Sequence, residues 1–322
     1  MAFGRTVRSA CMAALLTIPL AACDEPAPPQ PTKNETVQVG DKSLRLRIIT
    51  DETERREAAL QGTHPGSGEG SLLVYPAPEV VRMDLGQYST PVDVLFLDST
   101  GKIVGKKDEP SPVPPPAPGT PPQTPSGKVF TNTSPAYFTL QLPAGAAADL
   151  KLKEGDTIKI DAPRLIKQAQ GPLVDVEVGG RKFHLEQALD QYKRLKGLSD
   201  RVEIAPDGGM LFVFPGAQPL SFVMRDCPIP IDVIFLDGTG RIVAFHKMDP
   251  PTPPREVTDK VNEFVLDANG TNRHYEDRLK LYSSGFAAQF VIELKGGTLD
   301  SLKIKKGDKV ALDLQDLKKR AK

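Results

Sequence analysis

The chain contains an internal duplication. Displacing the sequence by 139 positions aligns residues 37–104 with 176–243 without a gap, and 20 of the 68 aligned pairs are identical. The strongest match pairs PVDVLFLD at 91–98 with PIDVIFLD at 230–237, and a second block, 138–160, matches 290–312 at a displacement of 152. A repeat of this length predicts two similar domains and not a solenoid. We divide the chain into a first repeat, 37–160, a linker, 161–172, and a second repeat, 173–315.

Each repeat has the pattern of short strands with one helix. KSLRLRII at 42–49 and GRKFHLEQ at 180–187 alternate like half-buried strands, while 50–62 and 190–199 have helix caps and helix-forming residues. SLLVYP and GMLFVFP, at 71–76 and 209–215, are predicted to be strands that end at proline. The strands that contain VDVLFLD and IDVIFLD are followed by Asp, Thr and Gly residues that are typical of hairpin turns. The predicted fold is a β-rich α+β architecture with two similar small sandwich or partly closed barrel domains, each with one short helix.

Two inserts distinguish the repeats. DEPSPVPPPAPGTPPQTPSG at 108–127 is too rich in proline to pack and is predicted to be an extended surface loop. The insert of the second repeat, within 250–280, carries apolar residues that suit one face of a helix. That helix is interpreted as packing, with a lid or a partner-binding helix as alternatives.

The N-terminus has the pattern of an export signal. Arg5 and Arg8 precede an apolar stretch that is too short to span a bilayer, and the stretch ends in LAAC at 20–23. This end resembles the lipobox of bacterial lipoproteins. The resemblance implies a signal peptide over 1–22, lipidation of Cys23 and a proline-rich tether over 23–36. We therefore expect a membrane anchor through lipid, in the bacterial cell envelope and facing the periplasm or the exterior; the alternative is an ordinary secretory signal.

Composition limits the classes of partner. Lys+Arg and Asp+Glu both number 41, so no net charge attracts nucleic acid, and no nucleic-acid partner is predicted. Only Cys227 remains after removal of the signal and lipidation of Cys23, which excludes an internal disulfide. None of the four histidines recurs between the repeats, and the chain has no metal-ligand spacing, nucleophile elbow or P-loop. We predict no metal and no cofactor.

The second repeat resembles the domain-of-unknown-function (DUF) 192 family. The matching motifs are GMLFVF at 209–214, the F-x-M-R segment that begins at Phe222, and IPIDVIF at 229–235. The resemblance implies a compact β-rich fold without a settled biochemical activity. Where the family pattern has Trp and Asn, this chain has Val223 and Asp226, and the first repeat has Gly86 and Gln87 where the second has Arg225 and Asp226. We therefore interpret the first repeat as degenerate and expect any binding in the second.

Asp93 and Asp232 stand in equivalent apolar strands. Apolar residues alternate onto both faces of each strand, so both carboxyls are predicted to be buried, which is costly for an unpaired charge. One interpretation is a functional acid, base or ligand. The favoured interpretation is a structural acid that backbone N–H groups satisfy and that stabilises each repeat, because the first repeat keeps Asp93 without the Arg225 pair.

Arg225 and Asp226, with Asp232, are the candidate ligand-binding residues. Arg225 could bind an anionic group through its guanidinium, or pair internally with Asp226 or Asp232, and the sequence leaves both open. Cys227 is interpreted as a buried thiol.

These patterns favour a non-enzymatic, lipid-anchored module that binds or scaffolds an envelope protein or a small ligand. The alternative is an envelope hydrolase-type enzyme that uses Asp232 and Arg225. That alternative requires Asp232 to be exposed in a cleft, whereas the binding module predicts a sealed Asp232 and a surface groove elsewhere.

Overall fold

A computed structural model describes residues 33–39, 42–61, 65–84, 91–107, 129–252, 254, 275 and 278–322. The predicted signal peptide, Cys23, Gly86, Gln87, the 108–127 insert and most of the 250–280 insert lie outside these residues. No helix within the described ranges is both long enough and apolar enough to cross a lipid bilayer.

The first repeat is built on one six-stranded sheet. Its strands are β1 (Lys33–Val39), β2 (Lys42–Ile49), β3 (Glu69–Glu79), β5 (Val92–Leu97), β6 (Ile103–Lys107) and β8 (Ala136–Pro143), while β4 (Arg82–Asp84) and β7 (Val129–Thr131) form a separate two-stranded sheet. The order across the large sheet is β1-β2-β3-β8-β5-β6. Only β2 and β3 run parallel, and the other neighbours are antiparallel.

The second repeat has the same topology. Its strands are β9 (Val174–Val178), β10 (Arg181–Ala188), β11 (Gly209–Phe222), β12 (Ile231–Leu236), β13 (Ile242–Met248) and β14 (Tyr282–Lys295). Their order, β9-β10-β11-β14-β12-β13, repeats that of the equivalent strands in the first repeat, and β10 and β11 form the equivalent parallel pair. The prediction of two similar β-rich α+β domains is confirmed, and neither sheet closes into a barrel among the described strands.

A short helix crosses between the parallel strands of each repeat, as a parallel connection requires. In the first repeat, α1 (Glu52–Gln61) begins after Asp51, whose Oδ1 accepts hydrogen bonds from the N–H groups of Thr53 and Glu54. Both predicted helices are present, because local capping chemistry defines their starts.

The equivalent helix of the second repeat begins and ends in the same local way. Asp190 Oδ1 accepts a hydrogen bond of 2.8 Å from the N–H of Lys193 and starts α4 (Gln191–Lys196). Gly197, with a φ of 51°, ends it. A φ in this range favours glycine at the end of a helix.

Strands β3 and β11 continue through proline, so the prediction that they end there was wrong. In β3, Pro76 lies within a register shift between Val74 and Glu79. Pairing with the parallel neighbour β2 stops at Leu73, so the missing N–H of Pro76 breaks no ladder hydrogen bond. Pro215 of β11 lies in the equivalent shift.

Each repeat ends with a helix that the sequence pattern did not predict. The segment predicted as a linker contains α3 (Ala162–Gln170), and the second repeat has α5 (Leu314–Arg320) at the same displacement of 152. An aspartate caps each helix, and each buries one leucine, Leu165 or Leu317, in the core of its own repeat. The linker residues therefore contribute to the first core.

One inner strand of each sheet is buried on both faces, whereas outer strands such as β2 and β9 alternate between buried and exposed residues. All six residues of β5 and all six of β12 are buried, including the equivalent Phe96 and Phe235. Burying a phenylalanine side chain contributes about 1.5–3 kcal/mol. These central strands are the most enclosed positions of each repeat, and they hold the two acids that the sequence singled out.

Candidate functional site

Asp93 and Asp232 are enclosed in equivalent positions, and each is 1% exposed. Asp93 Oδ2 accepts a hydrogen bond of 2.8 Å from the N–H of Ala147, at the start of α2 (Ala146–Asp149). Asp232 Oδ2 accepts one of 2.6 Å from Leu299, in the 3-10 turn Thr298–Asp300. The first N–H groups of a helical turn have no partner within the turn. Each carboxyl thus connects a central strand to the turn that follows β8 or β14.

Electrostatics at Asp232 reflect this enclosure. Burial raises the pKa of the Asp232 carboxyl, and hydrogen bonds from the N–H groups of Leu299 and Gly297 oppose the rise. Lys247 and Asp300 form an ion pair nearby and influence the carboxyl in opposite directions. The exposure of Asp232 is that of a core residue and not of a side chain in an open cleft.

Arg225 and Asp226 lie in the loop between β11 and β12, and their backbone contacts the segment after α4. The hydroxyl of Ser199 donates to the carbonyl of Arg225 over 2.7 Å, and the N–H of Asp200 donates to the carbonyl of Asp226 over 2.7 Å. Asp226 has a φ of 52°, in the left-handed region that non-glycine residues rarely adopt. Its carboxylate lies 3.5 Å from Arg82 of the first repeat. Asp226 and Asp232 therefore have different partners.

Cys227 is a core residue of the second repeat. It is 6% exposed, and its thiol donates to the carbonyl of Arg225 over 3.3 Å. Burial raises the pKa of the thiol, and the nearby Glu293 raises it further. Such a thiol stays protonated and is a poor nucleophile at neutral pH.

The most extensive polar cluster lies where the two repeats meet. We name residues 76–82 the first arm, and residues 196–202 with Asp226 the cradle. Arg82 of the first arm pairs with Asp200 and Asp226, and Lys196 Nζ lies 3.3 Å from Glu79 and 2.8 Å from Asp200. Glu79 is only 5% exposed. Five charged groups, Glu79, Lys196, Asp200, Arg82 and Asp226, thus alternate in sign across the contact.

Backbone hydrogen bonds join the arm and the cradle as well. The N–H of Val80 donates to the carbonyl of Asp200 over 2.8 Å, and the N–H of Val202 donates to the carbonyl of Pro78 over 3.1 Å. Glu79 and Arg201 form an antiparallel bridge between these two bonds. The cradle segment therefore adds to the free edge of β3 as a short strand does.

The cradle cations remain charged in this buried place. Burial acts to lower the pKa of Lys196, but Asp200 and Glu79 outweigh it and raise the pKa. Arg201 makes two hydrogen bonds to Glu186, of 2.5 and 2.8 Å, which likewise outweigh the effect of its burial. Paired guanidinium and carboxylate groups of this geometry are among the stronger polar contacts in proteins.

Another buried acid, Glu293, lies beneath the cradle. It is 5% exposed, and burial raises its pKa to about 8, with Arg201 opposing the rise. No hydrogen-bond donor contacts its Oε2 within the described part of the chain. Gln141 occupies the equivalent place in the first repeat, where its amide donates to the carbonyl of Ala58 over 3.2 Å. The repeats thus differ at this position by one proton-binding group.

Two of the four histidines, His184 and His246, lie among the described residues. His184 contacts Asp175 over 2.7 Å, and His246 contacts the carbonyl of Ser283 over 2.7 Å; His64 and His274 lie outside the described residues. Among the residues that the structure describes, no group of three or more His, Cys, Asp or Glu side chains is arranged to hold a metal ion.

A groove with a volume of about 690 Å³ lies along α3. Its lining is Ser99, Pro163, Ile166, Lys167, Gln170, Gly171, Pro172 and Leu173. Most of this lining is apolar, and Leu173 is 44% exposed. The groove is a concavity separate from the Asp232 strand.

Sequence reasoning singled out Asp226 of the cradle but found neither the arm nor the other cradle residues. The sequence signal for these residues lies at positions where the two repeats differ and not at positions where they are identical. Gln218 and Ser221 stand where the first repeat has Glu79 and Arg82, so charges appear in one repeat without a counterpart in the other. A comparison of the two copies for lost charges would have singled these positions out.

Comparisons with known proteins agree with the duplication. The DUF192 family, described as "Uncharacterized ACR", matches residues 35–160 and again 174–312. No curated protein matches the chain. A crystal structure from Sinorhizobium meliloti, named as a candidate transcription regulator, has 25% identity and a TM-score of 0.32, covering 43% of this chain and 91% of its own. One from Novosphingobium aromaticivorans, of unknown function, has 24% identity and a TM-score of 0.32, with coverages of 44% and 85%.

Proposed function

Because this chain belongs to the DUF192 family and carries its domain twice, we propose that it is a lipid-anchored envelope protein whose tandem repeats act as a non-enzymatic binding or scaffolding module. The anchor part of this proposal comes from the sequence. Arg5, Arg8, the apolar stretch and LAAC at 20–23 form the pattern of a lipoprotein signal, and Cys23 would carry the lipid.

The shared geometry of Asp93 and Asp232 carries the non-enzymatic part. Both carboxyls are 1% exposed, and both accept a hydrogen bond from the first turn of the following helical segment. Hydrogen-bonded acids in the same place in two repeats suit a structural role. A hydrolase that used Asp232 and Arg225 would need the acid open to substrate, and an enclosed Asp232 does not support that alternative.

Binding requires an accessible concavity, and the α3 groove is one. Its apolar lining with a few polar side chains is typical of sites for small ligands. The Arg225 loop is the other candidate, because a guanidinium can bind a carboxylate or phosphate group through two hydrogen bonds.

The anchor is tested by expressing wild type and Cys23→Ser in a bacterial host with a clickable fatty acid. We expect the label and the membrane association to require Cys23. Labelled wild type and unlabelled variant support the anchor, while an unlabelled, freely soluble wild type contradicts it.

The binding role is tested by thermal shift with a panel of small anionic and apolar compounds. The variants are Arg225→Ala for the loop and Leu173→Asp for the groove, whose Leu173 side chain is exposed. Loss of a shift in one variant only would assign the site. A compound that the protein converts, with activity lost in Asp232→Asn and kept in Asp93→Asn, would establish the enzyme instead.

A further inference from the structure

The equivalent arms of the two repeats have opposite environments. Residues 76–80 of the first arm are buried or half-buried: Gln170 of α3 donates a hydrogen bond to the carbonyl of Pro76, and the cradle contacts residues 78–80. We name residues 215–221 the second arm; its residues 215–219, the equivalents of 76–80, are all exposed. Both arms extend beyond the parallel partner strand, which pairs only as far as Leu73 in β3 and Phe212 in β11. Within the described part of the chain, the second arm thus has the same free edge without a cradle on it.

Three differences remove the docking chemistry from the second arm. Gln218 and Ser221 replace the two charged side chains, Glu79 and Arg82, that meet the cradle. Pro219 stands where Val80 donates its N–H to Asp200, and proline has no N–H to donate. A proline on an exposed edge is one of the devices that prevent strands from pairing with other chains.

The first repeat also lacks the charge pattern of the cradle. Where the second repeat has Lys196, Asp200, Arg201 and Asp226, the first has Glu57, Gln61, Gly62 and Gln87. An arm and a cradle on both repeats would let one chain dock onto the next, and such head-to-tail contacts propagate unless they close into a ring. Because the second arm and the first-repeat positions equivalent to the cradle both lack these groups, docking stops at one pair of repeats.

We propose that the arm and the cradle form a one-way docking interface, in which the cradle accepts only an arm with the Glu79, Val80 and Arg82 chemistry and the second arm is closed to further copies of this chain. The partner that fits the cradle is a short edge strand with an acidic residue, a free N–H and an arginine at these spacings. The tandem is therefore a self-limiting pair of domains.

The proposal is tested by moving the docking chemistry from one arm to the other. The rearmed variant carries Gln218→Glu, Pro219→Val and Ser221→Arg, all at exposed positions. The disarmed variant carries Glu79→Gln, Val80→Pro and Arg82→Ser, which uncovers its cradle. In sedimentation velocity we expect the rearmed and disarmed variants to form a complex when mixed, whereas wild type mixed with the disarmed variant forms none. Raising the salt from 50 to 500 mM is expected to weaken the affinity of that complex at least tenfold.

A charge-reversed control separates docking from general stickiness. Gln218→Arg, Pro219→Val and Ser221→Glu keep the free N–H but reverse the two charges, and this variant is expected not to bind the disarmed chain. Equal binding by the rearmed and charge-reversed variants overturns the proposal, as does no binding by the rearmed variant to a folded disarmed chain.

A single substitution keeps the proposal testable if the disarmed variant does not fold. Val80→Pro alone removes the hydrogen bond to Asp200. We expect hydrogen exchange at the Val202 amide to accelerate at least tenfold, with exchange in β5 and β12 unchanged. Unchanged protection at Val202 overturns the proposal.

Discussion

Glu293 and Gln141 show how one atom changes the behaviour of equivalent core positions. The amide of Gln141 donates a hydrogen bond to the carbonyl of Ala58, whereas burial keeps Glu293 protonated by raising its pKa to about 8. An ionised carboxylate with an unpartnered oxygen in such a place costs several kcal/mol. Protonation avoids that cost, so the second repeat holds a proton where the first repeat holds an amide.

We predict that Glu293→Gln stabilises the protein increasingly as pH rises from 5 to 8. Between the ordinary glutamate pKa and about 8, the folded state holds a proton that the unfolded state has released. The free energy of unfolding therefore falls with rising pH in this window, by at most about 1.4 kcal/mol per pH unit. Below the ordinary pKa both states are protonated and this loss is absent.

Urea unfolding of wild type and Glu293→Gln at pH 5, 6, 7 and 8 measures the effect. The variant is expected to have the flatter dependence on pH. Gln141→Glu is the matched control and should steepen the dependence, because it places an acid in the equivalent core position. Parallel curves for wild type and Glu293→Gln would contradict the assignment.

Asp93→Ala and Asp232→Ala are predicted to destabilise their repeats by similar amounts. Each change leaves a helix-start N–H, that of Ala147 or Leu299, without its acceptor. An unsatisfied buried donor costs about 1–3 kcal/mol. The measurement is chemical unfolding of both variants beside Glu154→Ala, an exposed control; a stability loss confined to one repeat argues against a shared structural role.

At the scale of elements, the closing helices α3 and α5 stabilise their repeats through one leucine each. Leu165→Ala and Leu317→Ala are predicted to cost about 2–5 kcal/mol, because each removes a fully buried side chain from a core. Lys167→Ala and Lys319→Ala are the matched controls, since these lysines occupy equivalent exposed positions. Their expected change is within about 0.5 kcal/mol. Thermal melts of the four variants test this, and equal losses for leucine and lysine variants would refute it.

The sequence predicts those elements whose signals are local. Alternation defines β2 and β10, and the caps at Asp51 and Asp190 define α1 and α4. The continuation of β3 beyond Pro76 was not predictable in the same way, because it depends on which edge of the strand lacks a partner. The closing helix α3 lies in the segment interpreted as a linker, and α5 lies at and beyond the predicted end of the second repeat at 315, although the repeated Asp161 and Asp313 caps follow the displacement of 152.

The candidate site likewise contains some residues that local sequence patterns predict and others that they do not. Apolar neighbours on both sides of Asp93 and Asp232 predicted their burial, because strand alternation is a local property. The ion pairs between the first arm and the cradle were not predictable from local sequence patterns. Arg82 and Asp200 are 118 positions apart, and only the docking of two folded repeats brings them together.

At the scale of the whole molecule, ion pairs and backbone hydrogen bonds couple the two repeats, and among the described residues no hydrophobic cluster is shared between them. The four hydrophobic clusters each stay within one repeat, while Arg82, Lys196 and their acids cross between repeats. Near them, the guanidinium of Arg56 lies 5.0 Å from the ring centre of Tyr192, which adds a contact between α1 and α4. Coupling of this kind depends on salt and on each charged partner.

We therefore predict that Arg82→Ser separates the unfolding of the two repeats. The change removes the guanidinium that Asp200 and Asp226 share, while Lys196 still pairs with Asp200, so the cost stays below the roughly 3–5 kcal/mol of a buried charge left with no partner. Because this cost falls on the docking and leaves both cores intact, calorimetry should show one transition in wild type and two in the variant. Arg47→Ser is the matched control: it breaks an exposed pair with Glu54 inside the first repeat and should keep a single transition. Two transitions in both variants, or one in both, would mean that the charges of the first arm and the cradle do not couple the repeats.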